Sequence, residues 1–443
     1  MSLKAGFISL GCAKNLVDTE VMLGILRQNG IEITETPAMA DILIVNTCAF
    51  IQSATEESIC TALNMAEYKE SGRCKALIVA GCLAERYKKE LPEELPEVDA
   101  FVGTGAYHRV MEAVEAALNG KRVVLTGDGD AVYDAGTPRI LTTPGYTAYV
   151  KIAEGCDHRC AFCAIPLIRG KFRSRPQEDI VREVTNLTAR GVKEINLVAQ
   201  DTTNYGVDLY GHPALAELLK KLVGIKSPAW LRILYAYPRG LNDELLEVMA
   251  SEPKICKYID LPLQHASDSV LKRMRRPGTN EETEALLEKI RRKIPGVCLR
   301  STFIVGFPGE TEADFDMLQS FIMRQKFDKI GVFTFSREEG TPAYDLPEQV
   351  DEAVTGERYH KLMSLAGKIS EDANESLVGR ELDVLVEGRD MREDGIAYGR
   401  SYREAPEVDG QIYIEGDNES APGDIVKVKI TRGFVYDVVG ERV

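Results

Sequence analysis

No apolar run in this chain approaches the roughly 20 residues that a membrane-spanning helix requires. Internal repeats and low-complexity segments are also missing, which excludes an array of repeated units. Basic charge is in short supply: 54 Lys+Arg against 69 Asp+Glu leave a net −15. That balance argues against a large nucleic-acid footprint, which shows clustered Lys and Arg. It suits a basic protein partner, and ordinary solubility explains it equally well. Ten cysteines in 443 residues are too sparse for a disulfide scaffold. Six of them follow strand-like runs, a placement suited to metal ligation in a reducing cytosol. The start ends Leu10-Gly11-Cys12, superficially like a lipoprotein signal, but its apolar core, Ala5 to Leu10, is too short. A soluble, cytoplasmic protein is expected.

The informative residues are Cys156, Cys160 and Cys163, spaced C-x3-C-x2-C within one short loop. Three thiolates hold three irons of a cubane cluster and leave the fourth open to a small chelating ligand. A structural cluster or an electron carrier normally has every iron capped by protein. The competing reading is zinc, which takes four ligands, usually in paired C-x2-C or Cys/His units. His158 would be the fourth, but it sits too close to Cys156 and Cys160 for an easy tetrahedron.

Residues 1–130 alternate strand and helix. Short apolar runs at 5–10, 42–45, 76–80 and 100–102 read as buried parallel strands, with helical patterns at 14–29, 52–69, 84–91 and 107–118. Gly, Asp and Pro gather from Gly127 to Gly145, and a linker is expected over 131–145. The alternation resumes over 146–350, with strands at 148–153, 195–199, 231–235, 258–263, 299–305 and 330–335. Helices fit at 177–190, 213–223, 242–251, 280–293 and 312–325. Six units are too few for a complete eight-unit barrel, so a curved, partial barrel is expected. A helical connector over 351–376 leads to 377–443, where turn signals at Glu387-Gly388, Asp394-Gly395, Asp409-Gly410 and Pro422-Gly423 predict a small antiparallel β-barrel. The fold class is therefore α/β with a small terminal β-barrel.

Cys12, Cys48 and Cys82 each stand directly after one of the first three predicted strands. Parallel strands place those positions along one sheet edge, where ligands bind, so a second three-thiolate site is expected. Glycines beside Cys12 and Cys82 let backbone approach a bulky cluster. Cys60, Cys74, Cys256 and Cys298 lack such a pattern and read as buried small hydrophobes.

With these residues in view, the chain resembles the radical S-adenosylmethionine (SAM) methylthiotransferases. Gly155–Arg175 resembles the radical SAM cluster loop, Gly11-Cys12-Ala13-Lys14-Asn15 and the strand-edge cysteines resemble the family's N-terminal domain, and the last segment is similar to its TRAM domain. The resemblance implies two [4Fe–4S] clusters and SAM: Cys156, Cys160 and Cys163 holding the radical cluster, Cys12, Cys48 and Cys82 a sulfur-inserting one, with a second SAM as methyl donor. It also implies a reductant such as flavodoxin or ferredoxin, and leaves the sulfur donor open. Phe162, Gln200, Gln264, Arg300 and Gly306, the last in the turn Gly306–Glu310, are candidate SAM contacts. Ordinary loop packing explains the same residues. Arg300 suits a carboxylate because its fork binds both oxygens.

Two branches of the family compete. One modifies adenosines of tRNA; the other, RimO-type, methylthiolates the β-carbon of an aspartate in the twelfth small-subunit ribosomal protein. The segments Ser9–Asp18, Cys163–Arg175 and Leu263–Ser267 resemble the second. Charge agrees: Ser376 to Val443 carries 9 Lys+Arg against 15 Asp+Glu, a net −6, whereas an RNA-reading barrel carries positive charge. Ala13 stands where the family often has proline. A basic ribosomal-protein substrate, free or in the small subunit, and a monomeric enzyme are expected. A non-catalytic iron–sulfur or zinc-binding assembly factor is the alternative from another class.

Overall fold

The computed structural model describes residues 2–127, 132–390, 396–417 and 419–443. Part of the expected linker, and the Asp394-Gly395 turn signal, lie outside the described residues.

Six parallel strands form the first sheet in the order β2-β1-β3-β4-β5-β6. They are β1 (Lys4–Ser9), β2 (Glu32–Thr34), β3 (Ile42–Thr47), β4 (Ala76–Gly81), β5 (Ala100–Gly103) and β6 (Val123–Leu125). Every residue of β3 and β4 is buried, because helices cover both faces. Ile42, Ile44 and Ile78 pack on one face with Val17, Val21 and Leu26 of α1 (Ala13–Gln28). Leu43, Val45, Leu77 and Val79 pack on the other, toward α2 (Gln52–Ala66). The edge strands β2 and β6 escape the pattern reading because each has three residues and neither is fully buried. The helix expected over 84–91 is instead α3 (Cys82–Arg86) followed by a separate turn at Leu91–Glu94. Pro92 is tolerated only in a first helical turn, so it starts a new helix.

The second body has β7 (Thr147–Lys151), β8 (Glu194–Val198), β9 (Trp230–Ile233), β10 (Tyr258–Asp260), β11 (Cys298–Val305) and β12 (Lys329–Thr334). Two parallel ladders, β7-β8-β9 and β10-β11-β12, meet where Cys256 N donates to Leu231 O at 2.9 Å. This is the expected partial barrel. Along β11, Leu299, Phe303 and Val305 join the helix-side core, so by strand alternation Arg300 and Thr302 face the lumen.

The helix α4 (Glu352–Glu375) leads to a closed barrel. Its strands are β13 (Glu381–Asp390), β14 (Ile396–Arg400), β15 (Ile412–Glu415), β16 (Ile425–Gly433) and β17 (Val438–Arg442), around Val384, Val386, Ile412, Ile414, Val428 and Ile430. The expected turn at Glu387-Gly388 is corrected: those residues lie inside β13, where the register shifts between Val386 and Gly388. A β-bulge, not a reversal, is what the glycine serves there.

How this barrel docks has no counterpart in any local sequence pattern. The segment following β14 floors the lumen of the partial barrel. Arg232 donates to the carbonyls of Tyr402 (2.7 Å) and Ser401 (3.1 Å), Arg400 pairs with Glu194 at 2.8 Å, and Tyr258 Oη donates to Asp409 at 2.7 Å. Among the described residues no helix is long and apolar enough to cross a membrane.

Candidate active site

Cys156 follows a two-strand ladder in which Ala153–Glu154 pairs antiparallel with Arg173–Ser174. That ladder closes the base of the loop. Cys156 N donates to Gly170 O (3.1 Å) and Cys163 N to Cys160 O (3.1 Å). The tip is pinned from two sides, Ala161 N to Met274 O and Ala343 N to Ala161 O, both 2.8 Å. Gly155 has φ +76°, and a Cβ there would lie 2.0 Å from Lys171 O. The His158 ring is engaged by other partners: it stacks on Tyr237 at 3.8 Å, and Nε2 meets Asp201 at 2.7 Å. Arg276, not anticipated from the sequence, lies 4.4 Å over the same tyrosine ring and places Nη1 3.9 Å from Cys160 Sγ.

The register Ser9↔Asn46 and Thr47↔Gly81 puts Cys12, Cys48 and Cys82 at the ends of three adjacent strands. Their loops touch: a Cβ on Gly11 (φ +89°) would lie 2.9 Å from Cys48 Cβ and 3.2 Å from its Sγ. The glycine therefore serves contact between the cysteine loops as well as room for a ligand. Asn15 Nδ2 braces two loops at once through Leu10 O (2.7 Å) and Thr47 O (3.2 Å). Ser58 Oγ donates to Cys48 O and accepts from Cys48 N. Of the remaining cysteines, Cys74, Cys256 and Cys298 are buried as expected, but Cys60 is exposed. Of the helix carrying it, α2, only Ser58 and Ala62 are buried, so position 60 falls outside the packed stripe.

Burial pushes the thiols of Cys82, Cys156 and Cys163 up to about 12 and that of Cys48 upward as well. Cys12 behaves differently. Desolvation by the surrounding protein opposes its ionisation, but the cations Lys14 and Arg169 outweigh it and lower its pKa. Among the described residues, no three His, Cys, Asp or Glu converge closely enough for a single metal ion. A cubane spreads its irons, and so its thiolates, further apart than one ion does. Three thiols per set fit such a cluster with one iron open.

Between the two sets lies a buried ionic network. Lys151 pairs with Asp18 and Glu154, both 2.5 Å. Arg169 pairs with Asp18 (2.7 Å) and Glu154 (3.2 Å). Burial alone would neutralise Glu154, but Arg169 and Lys151 hold it well below the carboxylate range. Gln200 donates to Glu154 at 2.9 Å, and its own Oε1 is buried without a partner.

The other predicted cofactor contacts divide. Phe162 is half-buried against Ala161, Val270, Met274, Phe307 and Ala343. Gln264 has φ +76° and ties its backbone to Thr302 and Ile304. Gly306 N donates to Glu310 at 2.9 Å, and Arg358 holds that carboxylate in turn at 2.8 Å. Arg300 lies six residues from Gly306 along β11, about 20 Å away at a strand's rise. Its guanidinium is engaged by Asp260 (2.9 Å) and Asp409 (3.5 Å).

A cysteine-bearing partial barrel, a parallel-sheet domain with thiols at one edge and a terminal β-barrel define a radical SAM methylthiotransferase. The chain matches the radical SAM superfamily over residues 150–322, the uncharacterized protein family UPF0004 over 4–103 and the TRAM domain over 378–443. It is 53% identical over 437 residues to the ribosomal protein uS12 methylthiotransferase RimO of Desulforamulus reducens, covering 98% of each chain. It is 52% identical over 443 residues to the protein of the same name from Pelotomaculum thermopropionicum, covering 100% of each. The chain belongs to the RimO family of radical SAM methylthiotransferases, and its cofactors include a [4Fe–4S] cluster and SAM. Its fold is also similar to that of the radical SAM methyltransferase TsrM from Kitasatospora setae, solved with cobalamin and a [4Fe–4S] cluster (TM-score 0.58, 15% identity, 77% of each chain covered).

Proposed function

We propose that the protein methylthiolates the β-carbon of an aspartate in ribosomal protein uS12, the substrate in its relatives' names. Cys156, Cys160 and Cys163 hold the radical cluster, and Cys12, Cys48 and Cys82 hold a second [4Fe–4S] cluster where sulfur is inserted. The observation that carries this division is the pair of three-thiol sets, one on a loop and one on a sheet edge. Held by Cys156, Cys160 and Cys163, the radical cluster would pass one electron from the reductant to SAM and so supply the radical chemistry that removes the substrate hydrogen. The chain's residues orient and seclude. Phe162, Gln264 and Gly306, with Gln200, form the SAM side of the mouth; the orphaned Gln200 Oε1 is free to accept a bond from the ligand. Arg276, beside Cys160, takes the carboxylate-binding role assigned from sequence to Arg300, which instead ties the lumen wall to its floor.

The domain limits that suit this division are 1–130, 146–350 and 377–443, with the linker and connector between them. The acidic terminal barrel attracts a basic protein, free or in the small subunit. A flavodoxin or ferredoxin supplies electrons to a monomeric, cytoplasmic enzyme. Alanine at Cys156, Cys160 or Cys163 should abolish reductive SAM cleavage. Alanine at Cys12, Cys48 or Cys82 should spare cleavage and stop sulfur insertion. Equal loss of both activities from the two sets would overturn the division.

A further inference from the structure

Residues 169 and 170 each touch a different cysteine set. Arg169 ends the short helix Ile165–Arg169, which begins two residues after Cys163. The residue is 3% exposed, and its guanidinium reaches across to the first sheet, with Nη2 3.7 Å from Cys82 Sγ and 3.2 Å from Asn15 Oδ1. The next residue, Gly170, accepts the Cys156 N–H through its carbonyl at 3.1 Å. One dipeptide therefore grips the first cysteine of the loop set and the last cysteine of the sheet-edge set.

Charge adds to the geometry. Lys151 and Arg169 are balanced by Asp18 and Glu154. Lys14 is a third buried cation beside Cys12, stacked 3.3 Å over the Tyr235 ring. No ion pair joins Lys14 to a carboxylate among the described residues, and Glu57 acts on Cys48 from the first sheet's side; Arg169 therefore adds positive charge beside thiols whose own domain supplies both signs. A three-thiolate cluster is anionic and gains one more negative charge on reduction. Cations held at buried positions stabilise the reduced form most, because low dielectric strengthens their effect.

Resting on the two-cluster reading above, we propose that Arg169 is a positioning residue for sulfur insertion: supplied by the radical domain, it fixes the sheet-edge cluster relative to the radical site and raises that cluster's reduction potential. Domain docking thereby completes the electrostatics of the second site, which the first sheet alone does not provide.

The test uses full-length protein with Cys156, Cys160 and Cys163 replaced by alanine, so that only the sheet-edge cluster contributes to an EPR-monitored redox titration. Arg169→Gln in that background should shift the midpoint to more negative potential, and Arg169→Lys, which keeps the charge, should restore most of the shift. With the loop cysteines intact, Arg169→Gln should raise the amount of 5′-deoxyadenosine formed per methylthio group installed. An unchanged midpoint in Arg169→Gln with its iron retained overturns the inference and leaves the two-cluster reading standing. If Arg169→Gln does not fold, a midpoint in Arg169→Lys far below the parent's overturns it, because the charge was kept. A parent with no cluster signal at all overturns the two-cluster reading, and this inference with it.

Discussion

Replacing Gly155 by alanine should unseat the radical cluster while leaving the second site intact. The residue has φ +76°, and a Cβ would stand 2.0 Å from Lys171 O, 2.6 Å from Lys171 C and 2.7 Å from Gly170 O. Holding an L-residue in the left-handed region costs about 1–2 kcal/mol. Crowding a packed site adds about 1–3 kcal/mol, and here the neighbours are backbone, which cannot rotate away. The combined strain is about 2–5 kcal/mol, and it falls on the carbonyl that anchors Cys156 N. Gly120 provides a control: it has φ +69°, but nothing lies within 4 Å of its Cβ position, so Gly120→Ala carries only the backbone cost. After anaerobic reconstitution, Gly155→Ala should lose the iron of the loop set and SAM cleavage, and keep the iron of the sheet-edge set. A Gly155→Ala protein with full iron and parental cleavage would refute the reasoning.

Two further changes test how the bodies are held together. Glu194 is fully buried; burial would raise its carboxyl, but Arg400 and Arg232 hold it at about 2 instead of the ordinary 4.5. A depressed carboxyl contributes stability above its unfolded value that is lost as pH falls through its folded value. The docked terminal barrel should therefore be indifferent to pH from 7 to 5 and loosen between 4.5 and 2. Glu194→Gln should destabilise by about 3–5 kcal/mol, because it takes from buried Arg232 the carboxylate that balances it, while Arg400 keeps Glu387 at 2.9 Å, and should flatten that acid transition; thermal melts across pH check both. Glu338 ties the segment before Ala343 to the first sheet's edge, accepting from Arg86 Nη1 (2.6 Å) and Gln52 N (2.7 Å). Glu338→Gln should speed hydrogen exchange at 49–52 and 336–343, and unchanged exchange would show that the tie is not needed.

The placement of the six cysteines, three at strand ends and three on one loop, was legible because each follows a strand-like run or sits in a dense motif, and strand periodicity places such residues without knowledge of packing. The four inner strands of the first sheet and all six of the partial barrel were legible for the same reason. What packs between bodies was not. Arg276 looks in sequence like one basic residue among several after a helix, and only the fold lays it against Cys160. Arg300 shows the converse: its chemistry suited a carboxylate, but two carboxylates of the protein, one from the terminal barrel, already hold it. The lumen floor depends on a loop far along the chain, for which no local pattern exists.

The most direct test of the account is mass spectrometry of small ribosomal subunits after incubation with the reconstituted enzyme, SAM and dithionite. A gain of one methylthio group on an aspartate of uS12 is expected. SAM cleavage without that product on any ribosomal protein would contradict it.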